Sequence, residues 1–167
     1  MIYINYYINK TIKLVLESDG ENLTGLWFDG SQNFSRHLDA AMQKDLPIFE
    51  QTKKWLDIYF SGKNPDFVPR IKQNNLTPFR KEVYEIMRKI PYGKTLTYGE
   101  IAEKIAKKKG VKKMSAQAVG GAVGANQICI ILPCHRVVGK TSLVGFGGGL
   151  ENKKKLLEIE KNALEDL

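Results

Sequence analysis

The stretch that most restricts how this chain can fold is residues 128–138, where an apolar run leads into a proline, a cysteine, a histidine and an arginine. The run at residues 128–132 has the composition of a buried strand. Pro133 fixes its own φ, lacks an N–H group and pushes Leu132 toward an extended conformation. We therefore expect a strand followed by a buried turn that presents the Cys134 thiol in one orientation.

The two cysteines of the chain differ in their neighbours. Cys129 lies inside the apolar run, as inert structural cysteines do, and on a strand its side chain would point away from that of Cys134. His135 and Arg136 directly follow Cys134, and cationic neighbours lower the pKa of a thiol. The sequence therefore favours Cys134 as a reactive thiol. The alternative is a buried thiol beside a surface histidine and arginine.

Basic residues are concentrated in the second half of the chain. Of the 26 Lys+Arg and 18 Asp+Glu residues, nine of each lie in residues 1–76, so the whole net charge of +8 belongs to residues 77–167. A basic excess confined to one half indicates that this half binds a polyanion such as DNA. Lysines that serve only solubility are the alternative.

The expected cellular location of the protein follows from sequence features that are absent. No apolar run approaches the roughly 18–20 residues of a membrane span, and the N-terminus shows no secretory signal pattern. Two cysteines five positions apart, one in a reactive setting, disfavour a structural disulfide. We expect a cytoplasmic protein that does not contact a membrane.

Residues 1–75 are expected to form an N-terminal α/β domain with a structural role, bounded by the polar residues 72–75. Alternating apolar residues predict strands, and apolar residues at helical spacing after Pro47 predict a helix. The predicted elements are about three antiparallel strands in residues 1–29, a loop at 31–44, a helix at 47–60 and a short strand at 67–71.

Residues 76–167 are expected to form a mostly helical domain. Thr77, Thr97 and Ser115 each stand where a side chain can cap a helix. The predicted elements are helices at 78–90, 98–108, 116–124 and 151–164, a short hairpin near 139–144 and a glycine-rich loop at 146–149. The second and third helices are typical of a helix-turn-helix, with an ordinary helical hairpin as the alternative. The three lysines at 153–155 are expected on a solvated face.

Several segments of this half resemble the O6-alkylguanine-DNA alkyltransferases. Residues 133–137 match the active-site signature of that family, and Asn126 stands where the family has a hinge asparagine. Residues 95–102 and 116–122 resemble the two helices of its helix-turn-helix. Residues 148–150 resemble the end of its binding loop, and residues 156–160 resemble the helix that carries its buried glutamate. On this joint match the chain is identified as a member of the family.

The resemblance implies an α+β fold. The N-terminal domain would be a ribonuclease H-like antiparallel sheet with a helix, and the C-terminal domain would be winged-helix-like. It implies direct-reversal repair, in which an alkyl group moves irreversibly from O6 of guanine in double-stranded DNA to a cysteine of the protein. Activity on O4 of thymine is left open. A monomer that acts once, without cofactor or metal, is implied.

The resemblance also implies roles for individual residues. Cys134 would be the nucleophile, His135 would take its proton through a water, and Glu160 would orient His135. Asn126 would hold the strand and turn together, and Tyr98 would hydrogen-bond guanine N3. The residues implied to contact DNA are Ser115, Ala116, Gln117, Ala118, Gly120 and Arg136. The residues implied to line the base pocket are Tyr98, Pro133, Val137, Phe146 and Gly147.

Three positions depart from the family pattern. Gln117 stands where many members carry an arginine that enters the duplex, Gln127 replaces a usual proline, and Phe146 replaces a common tyrosine. The N-terminal half contains no cysteine, so the zinc cluster of some relatives and the associated regulatory role are not implied.

Two other classes of function are weighed against this one. A module that binds lesions without chemistry would lack the cysteine, so Cys134 argues against it. A thiol hydrolase or a redox enzyme would need an oxyanion site or a resolving cysteine. Cys129 is expected to face away from Cys134 and does not meet that need.

Overall fold

The computed structural model describes residues 1–10, 12–31, 39–140 and 149–165, which form an α+β fold. Its elements are β1 Tyr3–Asn9, β2 Ile12–Ser18, β3 Leu23–Phe28, β4 Met42–Gln43, α1 Pro47–Phe60, α2 Pro78–Arg88, β5 Leu96–Thr97, α3 Tyr98–Lys109, α4 Ala116–Gly124, a 3-10 turn Cys134–Arg136, β6 Val137–Val138 and α5 Leu150–Glu165. Within these ranges, no helix has both the length and the apolarity needed to cross a membrane.

The first three strands form the predicted antiparallel meander. β1 pairs with β2 in a register that sets Tyr3 opposite Ser18, and β2 pairs antiparallel with β3. The two-residue strand β4 adds parallel to β1, so the sheet order is β3-β2-β1-β4. β4 falls within a stretch predicted as loop, because two residues are too few to carry a recognisable alternation.

Helix α1 packs against β2 and β3. Its bounds agree with the predicted residues 47–60, and Pro47 occupies the first turn as expected. The side chains that it buries are the ones that the helical spacing indicated, namely Ile48, Phe49, Thr52, Trp55, Leu56 and Tyr59.

The stretch at residues 67–71 is not the short strand that the sequence suggested. It is an irregular segment with one isolated bridge, between Ile71 and Leu23. The Leu23 N–H donates to the Arg70 carbonyl at 2.8 Å, and the Lys72 N–H donates to the Leu23 carbonyl at 2.9 Å. This single attachment fixes the chain to β3 shortly before it enters the helical half.

The predicted helix caps are confirmed. The hydroxyls of Thr77, Thr97 and Ser115 each accept a hydrogen bond from the backbone N–H three residues further on. Helix α3 ends at Gly110, whose φ of 69° lies in the left-handed region that favours glycine. Residues 110–115 then lead into α4, which packs on α3 as the two helices of a helix-turn-helix do.

The prediction of a strand at residues 128–132 is wrong. Ile128 forms one parallel bridge with Leu26 of β3, and the Cys129 N–H donates to the Leu26 carbonyl at 2.8 Å. The chain then turns, because Ile130 has a φ of 71°. A β-branched residue rarely adopts this conformation, so the apolar pattern contained no sign of the turn. The segment before the candidate nucleophile therefore attaches to the N-terminal sheet at a single point.

Among the described residues, one cluster of buried apolar side chains runs through both halves of the chain. It includes Leu16 and Phe49 from the first half and Met87 and Val137 from the second. The 3-10 turn belongs to this cluster through Cys134. The candidate site is therefore supported by elements from both halves.

Candidate active site

The 3-10 turn Cys134–Arg136 follows Pro133 directly and is held by backbone hydrogen bonds at both ends. The Cys134 N–H donates to the Leu132 carbonyl at 2.8 Å, and the Arg136 N–H donates to the Pro133 carbonyl at 3.0 Å. Cys134 is 5% exposed and His135 is fully buried. The predicted buried turn is confirmed, and it sets the thiol and the imidazole on adjacent residues.

Asn126 fixes the loop that leads into this turn. Its Nδ2 donates to the carbonyls of Leu132 at 3.0 Å and Ile128 at 3.3 Å, and its Oδ1 accepts from the Ile128 N–H at 3.1 Å. The side chain is buried. One amide therefore joins both ends of the loop that contains the left-handed Ile130.

Glu160 of α5 accepts four hydrogen bonds at this turn. Its Oε2 accepts from His135 Nε2 at 2.5 Å and from the Tyr59 hydroxyl at 2.7 Å. Its Oε1 accepts from the Gly93 N–H at 2.9 Å and from Arg136 Nε at 2.8 Å. These donors satisfy roughly the full acceptor capacity of a carboxylate, which is about four lone pairs.

The surroundings keep Glu160 ionised and His135 neutral. Burial would raise the pKa of the Glu160 carboxyl, but the hydrogen bond from His135, the charge that His135 carries when it is protonated in acid, and Arg136 lower that pKa to about 2. Burial lowers the pKa of His135, against the opposing effect of Glu160. An ionised Glu160 can only accept a hydrogen bond, so Nε2 carries the hydrogen of the neutral imidazole and Nδ1 carries the lone pair. His135 Nδ1 has no hydrogen-bond partner in the described part of the chain.

The pKa of Cys134 is lowered, as the sequence predicted, but by different groups. A hydrogen bond from the Cys129 thiol has the largest effect, and the Asn126 side chain and the Lys153 charge add to it against the effect of burial. Arg136 does not face the thiol, because its guanidinium binds Glu160 and the Ile90 carbonyl.

The expectation that Cys129 points away from Cys134 is wrong. The turn at Ile130 reverses the chain, so the alternation of a strand does not apply. Both cysteines are free and buried, and their side chains interact with each other. The interaction and burial raise the pKa of Cys129, which therefore stays protonated and donates to Cys134.

Lys153 is a site residue that the sequence reasoning missed. It was predicted on a solvated face, yet it is fully buried, and its Nζ donates to the Val137 carbonyl at 2.7 Å. The same Nζ lies 5.9 Å from the centroid of the Tyr98 ring. Lys153, Leu156 and Glu160 recur at helical spacing, and that pattern could have indicated that the Lys153 side chain lies on the buried face of the helix.

Tyr98 begins α3 and lies near both α4 and the Cys134 thiol. Burial raises the pKa of its phenol, and the nearby Cys134 adds to that effect. A Cβ added at Gly120 would stand 3.8 Å from the Tyr98 ring, so the ring packs along α4. The phenol is thus close enough to the candidate nucleophile for the two groups to affect each other's charge, and the Tyr98 side chain is partly buried.

The other implied site residues fall into three groups. Ser115, Ala116, Gln117 and Ala118 are exposed together at the start of α4, and Gly120 is half-buried one turn further on. Arg136 was expected to contact DNA, but its side chain is 11% exposed and faces Glu160. Phe146, Gly147, Gly148 and part of the predicted hairpin near 139–144 lie outside the described residues.

A helix pair of the helix-turn-helix type, α3 and α4, occurs in the same fold as a buried cysteine, histidine and glutamate, and such a helix pair is typical of DNA-binding proteins. A family model described as the DNA binding domain of 6-O-methylguanine DNA methyltransferase matches residues 78–162. A methylated-DNA–protein-cysteine methyltransferase of Haemophilus influenzae is 39% identical over 161 residues, which are 96% of this chain and 87% of the relative. The chain therefore belongs to the family of methylated-DNA–protein-cysteine methyltransferases.

Solved structures agree with this assignment. The O6-methylguanine methyltransferase of Mycobacterium tuberculosis has a TM-score of 0.84 and 35% identity, with 98% of this chain and 94% of that chain covered. A structure of the Mycobacterium tuberculosis protein in complex with DNA has a TM-score of 0.81 and 34% identity, with 96% and 94% covered.

Proposed function

We propose that this protein repairs alkylated DNA by transferring the alkyl group from O6 of guanine to Cys134 Sγ, once per molecule. The observation that carries the proposal is the arrangement of the buried turn. Glu160 holds His135 through Nε2, which leaves Nδ1 to accept a proton, and Cys134 is the neighbouring residue of the same buried turn. The family to which the chain belongs supports the same reaction. O4 of thymine is a second candidate substrate of the same chemistry.

The proposed reaction balances without a cofactor. The Cys134 proton passes through a water to His135 Nδ1, and the thiolate attacks the alkyl carbon. A carbon–sulfur bond forms while the bond between that carbon and O6 breaks, and the electron pair stays on the guanine. The Tyr98 phenol hydrogen-bonds and protonates N3, and the proton released by the cysteine replaces the phenol's proton. The product is a thioether, which water does not hydrolyse, so the thiol is used up.

The buried thiol requires the target base to leave the DNA stack. Base flipping costs a few kcal/mol, and less for a mispaired lesion. The exposed residues at the start of α4, from Ser115 to Ala118, and the half-buried Gly120 are proposed to enter the groove, with Gln117 filling the space that the base leaves. Pro133, Val137, Tyr98, Phe146 and Gly147 are proposed to line the base pocket.

We propose that residues 76–167 form the DNA-binding and alkyl-transfer domain and that residues 1–75 form the structural domain. The polar break at residues 72–75 and the charge asymmetry support this division. The sheet with its α1 helix supports a ribonuclease H-like N-terminal architecture, and α2 to α4 together with the β5–β6 pair, in which β5 precedes α3 and β6 follows α4, support a winged-helix-like second half. The proposed protein is a cytoplasmic monomer, and two free thiols suit a reducing compartment.

The direct test is to incubate the protein with a duplex that carries one O6-methylguanine. The expected result is stoichiometric conversion to guanine, with the intact mass of the protein increased by one methyl group. A Cys134→Ser variant should bind the duplex without gaining mass. Binding by the unchanged protein without any mass increase would instead indicate a lesion sensor that performs no chemistry.

A further inference from the structure

Tyr59 links the N-terminal half of the chain to the candidate catalytic residues. It lies near the end of α1, is fully buried, and donates from its hydroxyl to Glu160 Oε2 at 2.7 Å. The same hydroxyl lies 3.4 Å from His135 Nε2. Tyr59 and Glu160 are 101 positions apart in sequence, so the contact exists only when both halves are folded together.

Aromatic neighbours hold the Tyr59 ring in place. It stacks on Trp55 with centroids 5.5 Å apart, and it meets Phe60 and Tyr92 edge-on at 5.4 Å and 6.1 Å. It also meets the His135 ring edge-on at 6.3 Å. The packed ring aims the hydroxyl at the oxygen that His135 also uses.

The Tyr59 hydroxyl acts as a donor in this arrangement. Burial and the neighbouring Glu160 charge raise its pKa well above the ordinary value, so the phenol keeps its proton. Its O–H and the His135 Nε2–H therefore share one carboxylate oxygen. A hydrogen bond to a carboxylate disperses negative charge that would otherwise favour a protonated imidazole.

We propose that Tyr59 is a positioning residue for alkyl transfer, because its hydroxyl shares Glu160 Oε2 with His135 and keeps the imidazole neutral and correctly oriented. This inference rests on the proposed function. It gives residues 1–75 a direct part in the reaction, in addition to their structural part.

The charged and titratable groups around His135 come from every element packed against it. They are Glu160 and Lys153 from α5, Arg136 from its own turn and Tyr59 from α1, and Tyr92 from the turn after α2 lies behind the Tyr59 ring. Arg136 and Lys153 oppose protonation of the imidazole, and Glu160 favours it. Replacing Tyr59 by phenylalanine removes a hydrogen-bond donor from Glu160 and leaves Arg136 and Lys153 in place. The Glu160 charge then acts more strongly on His135, so the imidazole is protonated more easily.

The first measurement is an NMR titration of the His135 ring in the full-length Tyr59→Phe variant and in the unchanged protein. The chain has two histidines, so a His37→Gln background assigns the signals. In Tyr59→Phe the His135 pKa should rise by roughly 0.5 to 1 unit, as expected for the loss of one hydrogen bond to its partner.

The second measurement is the pH profile of single-turnover methyl transfer. The acidic limb should move upward by the same amount in Tyr59→Phe, and at pH values below both midpoints the rate should fall about three- to tenfold, because the rate follows the neutral imidazole. At high pH the methyl-transfer rates of the two proteins should become equal.

Tyr7→Phe is the matched control. The Tyr7 hydroxyl also donates to a carboxylate, Asp57 Oδ1 of α1, at 2.8 Å. The control therefore loses the same kind of bond on the same helix, away from His135. It should lose some stability without moving either the titration or the acidic limb.

Two results would overturn the inference. One is an unchanged His135 titration and acidic limb in Tyr59→Phe. The other is a rate reduced by the same factor at every pH, which would indicate a structural role alone. If the unchanged protein transferred no methyl group, the proposed function would fail, and the histidine titration would still decide whether Tyr59 controls His135.

Discussion

At the scale of single residues, the chemistry of the site depends on which groups face each titrating atom. Glu160 keeps its charge although it is 1% exposed, since four donors surround it. His135 stays neutral because it is buried, and its free Nδ1 lies on the side away from the carboxylate. A neutral imidazole with an unpartnered Nδ1 is the form that the proposed proton transfer from the thiol needs.

The residue-scale prediction concerns Cys129, whose thiol has the strongest effect on the Cys134 pKa. In Cys129→Ala the Cys134 pKa should rise by roughly half to one unit, because one donor to the thiolate is lost. The measurement is the rate of iodoacetamide labelling of Cys134 across pH, read by peptide mass. Cys129→Ser supplies a hydroxyl donor of similar size. In this variant the pH at which labelling of Cys134 is half-maximal should return toward the value of the unchanged protein. Equal midpoints in all three proteins would show that Cys129 does not act on the nucleophile.

How much of the site could be predicted from the sequence depended on whether a residue lies in a continuous motif. Cys134 and His135 are adjacent, and Glu160 sits in a recognisable helix, so resemblance suggested all three. Tyr59 contributes one hydroxyl from a mostly apolar helix face, and its spacing indicated burial without indicating a partner. Lys153 was misread because lysine is seldom buried unless it is paired.

At the scale of elements, α4 presents its first turn to the solvent and packs its later residues on α2 and α3. Gln117 is exposed in that first turn, while Val119, Ala122 and Val123 are buried. The helix is therefore fixed at one end and free to meet DNA at the other.

The element-scale prediction is that Gln117 supports the flipped state of the DNA from this exposed turn. Arginine adds charge and can stack on bases, whereas glutamine offers a neutral amide. Gln117→Arg should therefore speed repair of duplex DNA, and Gln117→Ala should slow it, each by about two- to tenfold for a change of roughly 0.4 to 1.4 kcal/mol. The rate with free O6-methylguanine base should change little in either variant, because the free base needs no flipping.

The control for added charge is Gln51→Arg, an exposed position on α1. It adds the same positive charge in the N-terminal half and should leave the duplex rate nearly unchanged. If the Gln117 substitutions altered the free-base rate as much as the duplex rate, Gln117 would act on the pocket, and the intercalation account would be wrong.

Elements differ in how well the sequence predicted them. The bounds of α1 and the caps at Thr77, Thr97 and Ser115 follow from local chemistry, and the structure confirms them. Residues 128–132 have a strand composition but form a turn, because the hydrogen bonds of Asn126 and the bridge to Leu26 stabilise a positive φ at Ile130. Such tertiary stabilisation of an unfavourable conformation is not visible in a local pattern.

At the scale of the whole molecule, the site lies where one apolar cluster joins the two halves. α1 contributes Tyr59, β3 holds the segment before the thiol, and α5 contributes Glu160 and Lys153. The stability of the fold and the protonation of the site are therefore linked.

The prediction at this scale is a loss of stability in acid. The folded pKa values of His135 and Glu160 both lie below their ordinary values of 6.5 and 4.5, so the unfolded chain binds more protons. Their stabilisation is fully present above pH 6.5, where both unfolded groups have lost their protons, and it decreases as pH falls toward the folded Glu160 pKa of about 2. Urea unfolding midpoints measured from pH 7 to pH 3 should fall accordingly.

Two variants test the source of this acid sensitivity. Glu160→Gln should cost on the order of 3 kcal/mol at pH 7, because buried donors lose a charged partner, and it should flatten the pH dependence below 4.5. Asp29→Asn removes a carboxylate from a surface pair with Lys13 and should change neither the stability nor its pH dependence appreciably. Identical pH dependences in the two variants would contradict the assignment to Glu160.

The most direct test of the central claim is peptide mapping of the protein after reaction with a duplex that carries isotopically labelled O6-methylguanine. Both cysteines are buried and interact with each other, so the position of the label separates their roles. We expect one label per protein, on Cys134, and none on Cys129. Label on Cys129, or on any residue in a Cys134→Ser variant that still binds the duplex, would contradict it.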